Sequence, residues 1–285
     1  MVRNIAIVAL VIAAIGFICA PSKAAKQQST QKSPAAYTEK VVPTPDLTQT
    51  DPDGKLPIQG KSHCGPVSVS NSLAWLANNG FDNLLPTLKN RKQSQFEMAR
   101  LLGSKMYMNT TTKGTGVSGV AQGVSRYIKD RGYEYRYLKY QGWRKHPSQF
   151  STAVDVPKLS WIKEGLKGNS AVWLNVGWYK YDYSTGEYLR TGGHWVTLVG
   201  YGVDQKGNVD PSVLIIHDPS PGAGKYPSHE YVRIKPISKG KLTGTQSGLP
   251  RSAKGYYIMD NGMHISRKAN VGILDGVVVL KMPNK

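Results

Sequence analysis

The sequence predicts an α+β fold, with helices gathered in the first half of its globular part and an antiparallel sheet in the second. Two patterns carry this. Apolar residues recur at helical spacing as far as Leu166, and from about residue 171 the apolar period changes from 3.6 to 2. With no internal repeat and no second hydrophobic boundary, residues 55–285 are expected to form one folded domain.

Taken in order, Val67, Leu73, Leu76 and Ala77 place a helix over 67–79, begun near Cys64 and stopped by Asn79-Gly80. A second helix is expected over 94–102, before Gly103, and a Thr- and Gly-rich loop over 106–116. Val117, Val120, Val124, Tyr127 and Ile128 mark a third helix, closed by Gly132. Residues 133–140 alternate as a strand. Leu159, Ile162 and Leu166 mark a short helix stopped at Gly168. Strands then follow at 171–178, 195–201, 213–217, 256–259 and 272–280.

The first 54 residues read differently. Arg3, an apolar run over 5–20 and the small residues Ser22 and Ala24 give the layout of a signal peptide over 1–24. The run falls short of the roughly 20 residues a spanning helix needs, so no transmembrane segment is expected after its removal. Residues 25–54, rich in Lys, Gln, Ser, Thr and Pro, are expected as a disordered linker or tail, with a pro-segment as the alternative. The protein is therefore expected to be secreted or periplasmic. Its formal net charge of +19 suits an anionic cell-envelope surface. The basic residues are scattered, and no helix-turn-helix, zinc-finger or RNP motif accompanies them, so specific nucleic-acid binding is not expected.

Export leaves Cys64 without an intramolecular partner, since Cys19 lies in the segment to be removed. In an oxidising compartment an unpaired cysteine is a reactive thiol or an intermolecular bridge. A helix start lowers a thiol pKa, and a neighbouring imidazolium lowers it further. His194, after Gly192-Gly193 and at the head of an apolar strand, is the candidate base. Asp218, at the end of the strand that follows, is the candidate orienting carboxylate. Gln59 is the candidate amide for an oxyanion hole, beside the Cys64 backbone N–H. His63 and His217 rank below His194, because neighbours in a helix or strand face different ways. His146, His229 and His264 read as surface residues. The histidines are too dispersed for a zinc site, and Gly222-Ala223-Gly224-Lys225 is only a fragment of a phosphate loop, so neither metal nor cofactor is expected.

Gln59…Cys64-Gly65-Pro66 with Asn71-Ser72-Leu73-Ala74-Trp75-Leu76, then Gly193-His194-Trp195-Val196-Thr197-Leu198-Val199-Gly200-Tyr201, then His217-Asp218-Pro219, together resemble the papain-like cysteine peptidases. Within these they are most similar to the bacteriocin-leader-processing peptidases and their stand-alone secreted relatives. The resemblance spans roughly residues 56–220. It implies a helical half that carries the cysteine, packed on an antiparallel sheet that carries His and Asp. It also implies Cys64 as nucleophile, His194 as base and then acid, Asp218 as orienter, Gln59 as oxyanion donor, and a peptide or protein as substrate. Two alternatives share the constellation: an acyl transferase that passes the acyl group to an amine, and a non-catalytic binding module on the same fold.

Overall fold

The computed structural model describes residues 35–221, 230–244 and 250–284. The expected signal peptide, Cys19, residues 25–34 of the expected tail, the 222–225 fragment and His229 lie outside the described residues. The helices are α1 (Cys64–Asn78), α2 (Arg91–Gly103), α3 (Val117–Asp130) and α4 (Leu159–Gly165). The strands are β1 (Tyr137–Gly142), β2 (Ser170–Asp182), β3 (Glu187–Val203), β4 (Val209–His217), β5 (Glu230–Pro236), β6 (Lys241–Thr243), β7 (Arg251–Ser252), β8 (Tyr257–Asp260) and β9 (Val271–Lys281). The expected α+β order holds, with α1 to α3 before an antiparallel sheet.

Hydrogen-bonded neighbours run β9-β8-β5-β4-β3, and β2 pairs with both β3 and β9. These six strands form a ring in which every pairing is antiparallel. The ring closes through a short β8–β9 pairing at Ile258↔Ile273 and Met259↔Gly272. Closure leaves few exposed strand edges. β1 lies along β9, and β6 runs parallel to the start of β3.

Alternation along the strands divides two cores. Ala171 and Trp173 of β2 face the helices, where they join Leu73, Leu102, Val124 and Tyr127. Val172, Leu174 and Val176 face the other way, towards Ile162 and Leu166 by α4. Helix α1 lies at the centre, with Val67, Leu73 and Leu76 fully buried and Trp75 only partly covered. Its buried Ser68 and Ser70 hydroxyls and the Asn71 Oδ1 are hydrogen-bonded.

Three stretches differ from expectation. Residues 35–54 are packed along the fold rather than left as a tail. Tyr37 exchanges two backbone hydrogen bonds with Tyr201, each 2.9 Å. Lys40 Nζ donates to the Ser170 carbonyl at 2.7 Å, and Leu47 joins Leu56, Val67, Phe96 and Ala99. A few well-spaced anchors suffice, and average composition does not register them. Residues 133–136 are not strand. Gly132 N–H bonds to Lys129 O and Tyr133 N–H to Ile128 O, so these donors close α3 in a Schellman cap. Strand β5 is additional to the expected strands: only Val232 and Ile234 mark its inward face, alternating with Arg233 and Lys235. Among the described residues no helix is long and apolar enough to cross a membrane.

Candidate active site

Cys64 is the first residue of α1 and is buried, with its thiol the one free cysteine among the described residues. Gly65 beside it admits close packing: a Cβ there would lie 3.2 Å from Thr115 Cβ and 3.4 Å from the Trp195 ring. The helix is locked to the strand that carries His194 by two reciprocal bonds. Ser68 Oγ donates to Trp195 O at 2.8 Å, and Thr197 Oγ1 donates to Ser68 O at 2.7 Å. Both side chains are fully buried, so the helix start and the strand are held in one register. Trp195 Nε1 donates to Thr115 O at 2.8 Å and ties the preceding loop to the same strand.

His194 lies on β3 and Asp218 immediately follows β4. The antiparallel pairing Thr197↔His217 brings them together. His194 Nε2 donates to Asp218 Oδ1 at 2.6 Å, and Asp218 is completely buried. Ser220 Oγ stands 3.1 Å from the same nitrogen, and Ser220 N–H donates to Asp218 Oδ1 at 2.9 Å. With Nε2 committed, Nδ1 is left for the thiol. The Trp178 ring stacks on the imidazole at 5.6 Å between centroids and 21° between planes. It covers one face of the His194–Asp218 pair.

The electrostatics follow from this packing. Burial acts to raise the Cys64 pKa. The His194 hydrogen bond and charge, with the Trp195 and Gly65 backbone N–H groups, outweigh it and hold the thiol below its ordinary value. Burial acts to lower the His194 pKa, but the Asp218 charge and hydrogen bond, reinforced by Cys64, raise it above the usual histidine range. Asp218 is held low, against its burial, by His194 and Ser220. The Cys64 and His194 shifts both act in the direction of a thiolate–imidazolium pair. Glu230 adjoins the site, its Oε2 accepting from Asp218 N–H at 3.3 Å. Burial and the Asp218 charge push its pKa up to about 8.

Cys64, His194 and Asp218 are thus brought together, and Gln59 is not brought with them. Gln59 is exposed and lines neither of the pockets that Cys64 lines. The cause is local. Ile58, Gln59 and Gly60 take φ of 53°, 52° and 74° in succession. This left-handed turn presses Gly60 so closely on Gln49 that a Cβ there would meet Gln49 O at 1.6 Å. The glutamine in the cleft is Gln49: it is buried, its Nε2 donates to Gly60 O at 2.8 Å, and its Oε1 has no hydrogen-bond partner.

Three other histidines face elsewhere. His63 is buried against Gly103 of α2, and His217 Nδ1 donates to Pro45 O at 3.1 Å on the far face of its strand. His146 Nδ1 donates to Arg144 O at 2.6 Å. His264, expected as a plain surface residue, lines the open cleft, with Nδ1 3.9 Å from Asp218 Oδ2. Among the described residues no three His, Cys, Asp or Glu side chains are grouped as a metal ion requires.

Two spaces meet at the thiol. One is an open cleft of about 990 Å³ bordered by Lys61, Lys113, Trp178, Ser220 and Arg267. The other is a smaller pocket of about 120 Å³ lined by Lys113, Arg144, Asn175 and Arg190. A separate pocket near Tyr137 and Trp161 includes none of Cys64, His194 and Asp218.

No curated protein matches the chain. A family model described as "Peptidase_C39 like family" matches residues 42–235, more than half of the chain. That span includes Cys64, His194 and Asp218 and begins inside the segment whose composition suggests a tail. The chain therefore belongs to the Peptidase_C39 like family and is a relative of the papain-like cysteine peptidases.

Proposed function

We propose that the protein is an exported cysteine peptidase that works through Cys64, His194 and Asp218. The observation that carries this reading is the position of His194, bonded to Asp218 through Nε2 with its second nitrogen left for the buried Cys64 thiol. A helical half that carries the thiol, packed on the sheet that carries His and Asp, is the papain-like arrangement. Cys64 Sγ attacks the scissile carbonyl carbon, and the carbonyl electrons move to oxygen. The C–N bond then breaks, and the leaving amine takes its proton from His194. Water attacks the thioester as His194 removes its proton. The C–S bond breaks to give the acid and the free thiolate. Asp218 fixes the tautomer and orientation of His194 throughout, and Trp178 keeps water from that bond.

The developing oxyanion needs donors. The Cys64 backbone N–H, at a helix start, has no intrahelical acceptor. Gln49 supplies an amide in the cleft, with one Nε2 hydrogen on Gly60 O and one free. The test is a peptide-library digest by wild type and Cys64→Ala. Cleavage by wild type alone supports the reading; equal cleavage by both, or product formed only with an added amine acceptor, rejects it.

A further inference from the structure

The small pocket beside the thiol has a character that the hydrolysis does not require. Lys113, Arg144 and Arg190 line it, and no Asp or Glu is among its described lining residues. Arg190 is 6% exposed and Asn175 likewise 6%. The site is built from behind. Arg190 Nε donates to the fully buried Asp275 at 2.8 Å, and Asp275 also accepts from Tyr179 Oη at 2.6 Å and Trp143 Nε1 at 3.2 Å. Gly193, next to His194, is the residue that admits the Arg190 guanidinium: a Cβ there would lie 2.6 Å from Nη2. Gly177 opens the same kind of room for Asp275, 2.5 Å from where a Cβ would stand. Burial and the neighbouring Arg190 charge both act against the Arg144 charge. Asp275 thus holds the Arg190 guanidinium from behind with Arg144 beside it, and an anion in the pocket would meet both cations.

Asn175 adds an independent sign of a ligand. Its Oδ1 is buried and has no hydrogen-bond partner. A buried acceptor with no donor is costly unless a ligand supplies one. The main-chain N–H of a peptide is such a donor. The pocket has room for several waters, and hence for a short carboxylate-bearing group. The outer cleft continues the charge, with Lys61, Arg267 and Lys268 on its rim and no Asp or Glu among its described lining residues.

We propose that the pocket lined by Lys113, Arg144, Asn175 and Arg190 is a subsite for a carboxylate of the peptide substrate, so that cleavage is directed to acidic peptides. This rests on the peptidase reading above. The carboxylate comes from an Asp or Glu side chain or from the substrate's own C-terminus, and the two are separable by experiment.

The experiment uses the full chain and peptide pairs that differ only in Asp or Glu against Asn or Gln, and pairs that differ only in a free against an amidated C-terminus. Wild type is expected to favour the acidic member of one set by about 10–100-fold in kcat/KM, the range of one charge-assisted bond. Arg144→Gln should bring that ratio towards one, Arg144→Glu should invert it in favour of basic peptides, and Arg144→Lys should retain part of it. Tyr and Trp fluorescence checks that each variant is folded. Affinities for the same pairs are measured on Cys64→Ala, which binds without cleaving. Equal cleavage and equal binding of each pair overturn the subsite while the peptidase stands. Tighter binding of acidic peptides that is lost with Arg144→Gln, with no cleavage by wild type, leaves the carboxylate site standing and removes the peptidase.

Discussion

Replacing His194 by Gln removes the imidazolium but keeps a side chain of similar size against Trp178. In the native site Cys64 is buried, and burial alone raises a thiol pKa. Without His194 the thiol reverts to about 8.5 or above. At about pH 6 its thiolate fraction is then no more than roughly 0.3%, against a larger fraction where the imidazolium holds the thiol pKa down. The loss in thiolate is at most about 300-fold, the limit set by full ionisation of the wild-type thiol. It is read as ultraviolet thiolate absorbance during a pH titration, with Cys64→Ala as the blank. Absorbance reports the thiolate fraction directly, whereas alkylation rates mix it with a nucleophilicity that falls as pKa falls. Wild type should hold its thiolate signal across the neutral range, losing it in acid as Cys64 protonates. Its peptidase activity should also fall in alkali as His194 loses its proton. A wild-type titration with a single step near 8.5, unchanged by His194→Gln, would refute the pairing of the two side chains.

The remaining outcomes concern parts of the molecule that hold or border this pair. Thr197→Val removes the hydroxyl that donates to the buried Ser68 carbonyl and should cost about 0.5–1.5 kcal/mol in urea unfolding, with a fall in kcat; unchanged stability would deny the clamp between α1 and β3. Gln49→Ala should lower kcat by roughly 10²–10³-fold, while Gln59→Ala, exposed and outside the cleft, should leave it within a factor of two or so; the reverse order would return the oxyanion role to Gln59. Glu230 has a folded pKa of about 8 against 4.5 for the free group, so the unfolded chain binds fewer protons between these values. Its contribution to stability is therefore full below the lower value and lost as pH rises through the upper. Glu230→Gln should gain on wild type across that window, and a difference of the opposite sign in urea unfolding at its two ends would contradict the burial of this carboxyl.

How much of this was legible in the sequence depends on the range of the signal. The Cys64 helix start, the His194 strand and the aspartate at the end of β4 each show in a few neighbouring residues, through spacing, glycine pairs and period. Asp218 reaches His194 only if their two strands pair, and the Thr197↔His217 register supplies that pairing. Gln59 had only its closeness in sequence to Cys64. The left-handed turn at Ile58–Gly60 and the contact with Gln49 are set by packing, which no local pattern announces. The Arg190–Asp275 pair joins residues 85 apart, and the Trp178 stack on His194 crosses two strands, so neither shows as a motif. The segment from Tyr37 to Gln49 is polar on average, yet Tyr37, Val41 and Leu47 each dock at one point. In β5 two inward residues between charges were too short a run to count.

In the proposed reaction Cys64 attacks the substrate and carries its acyl group. The most direct measurement is intact-mass analysis of the protein quenched in acid during turnover of a cleaved peptide ester, followed by mapping of the modified residue. Wild type should gain the mass of the acyl fragment on Cys64, and the adduct should disappear as substrate is exhausted. His194→Gln should form it slowly, and Cys64→Ala should form none. Continued turnover by Cys64→Ala, or an acyl group mapped to any other residue, would contradict the account.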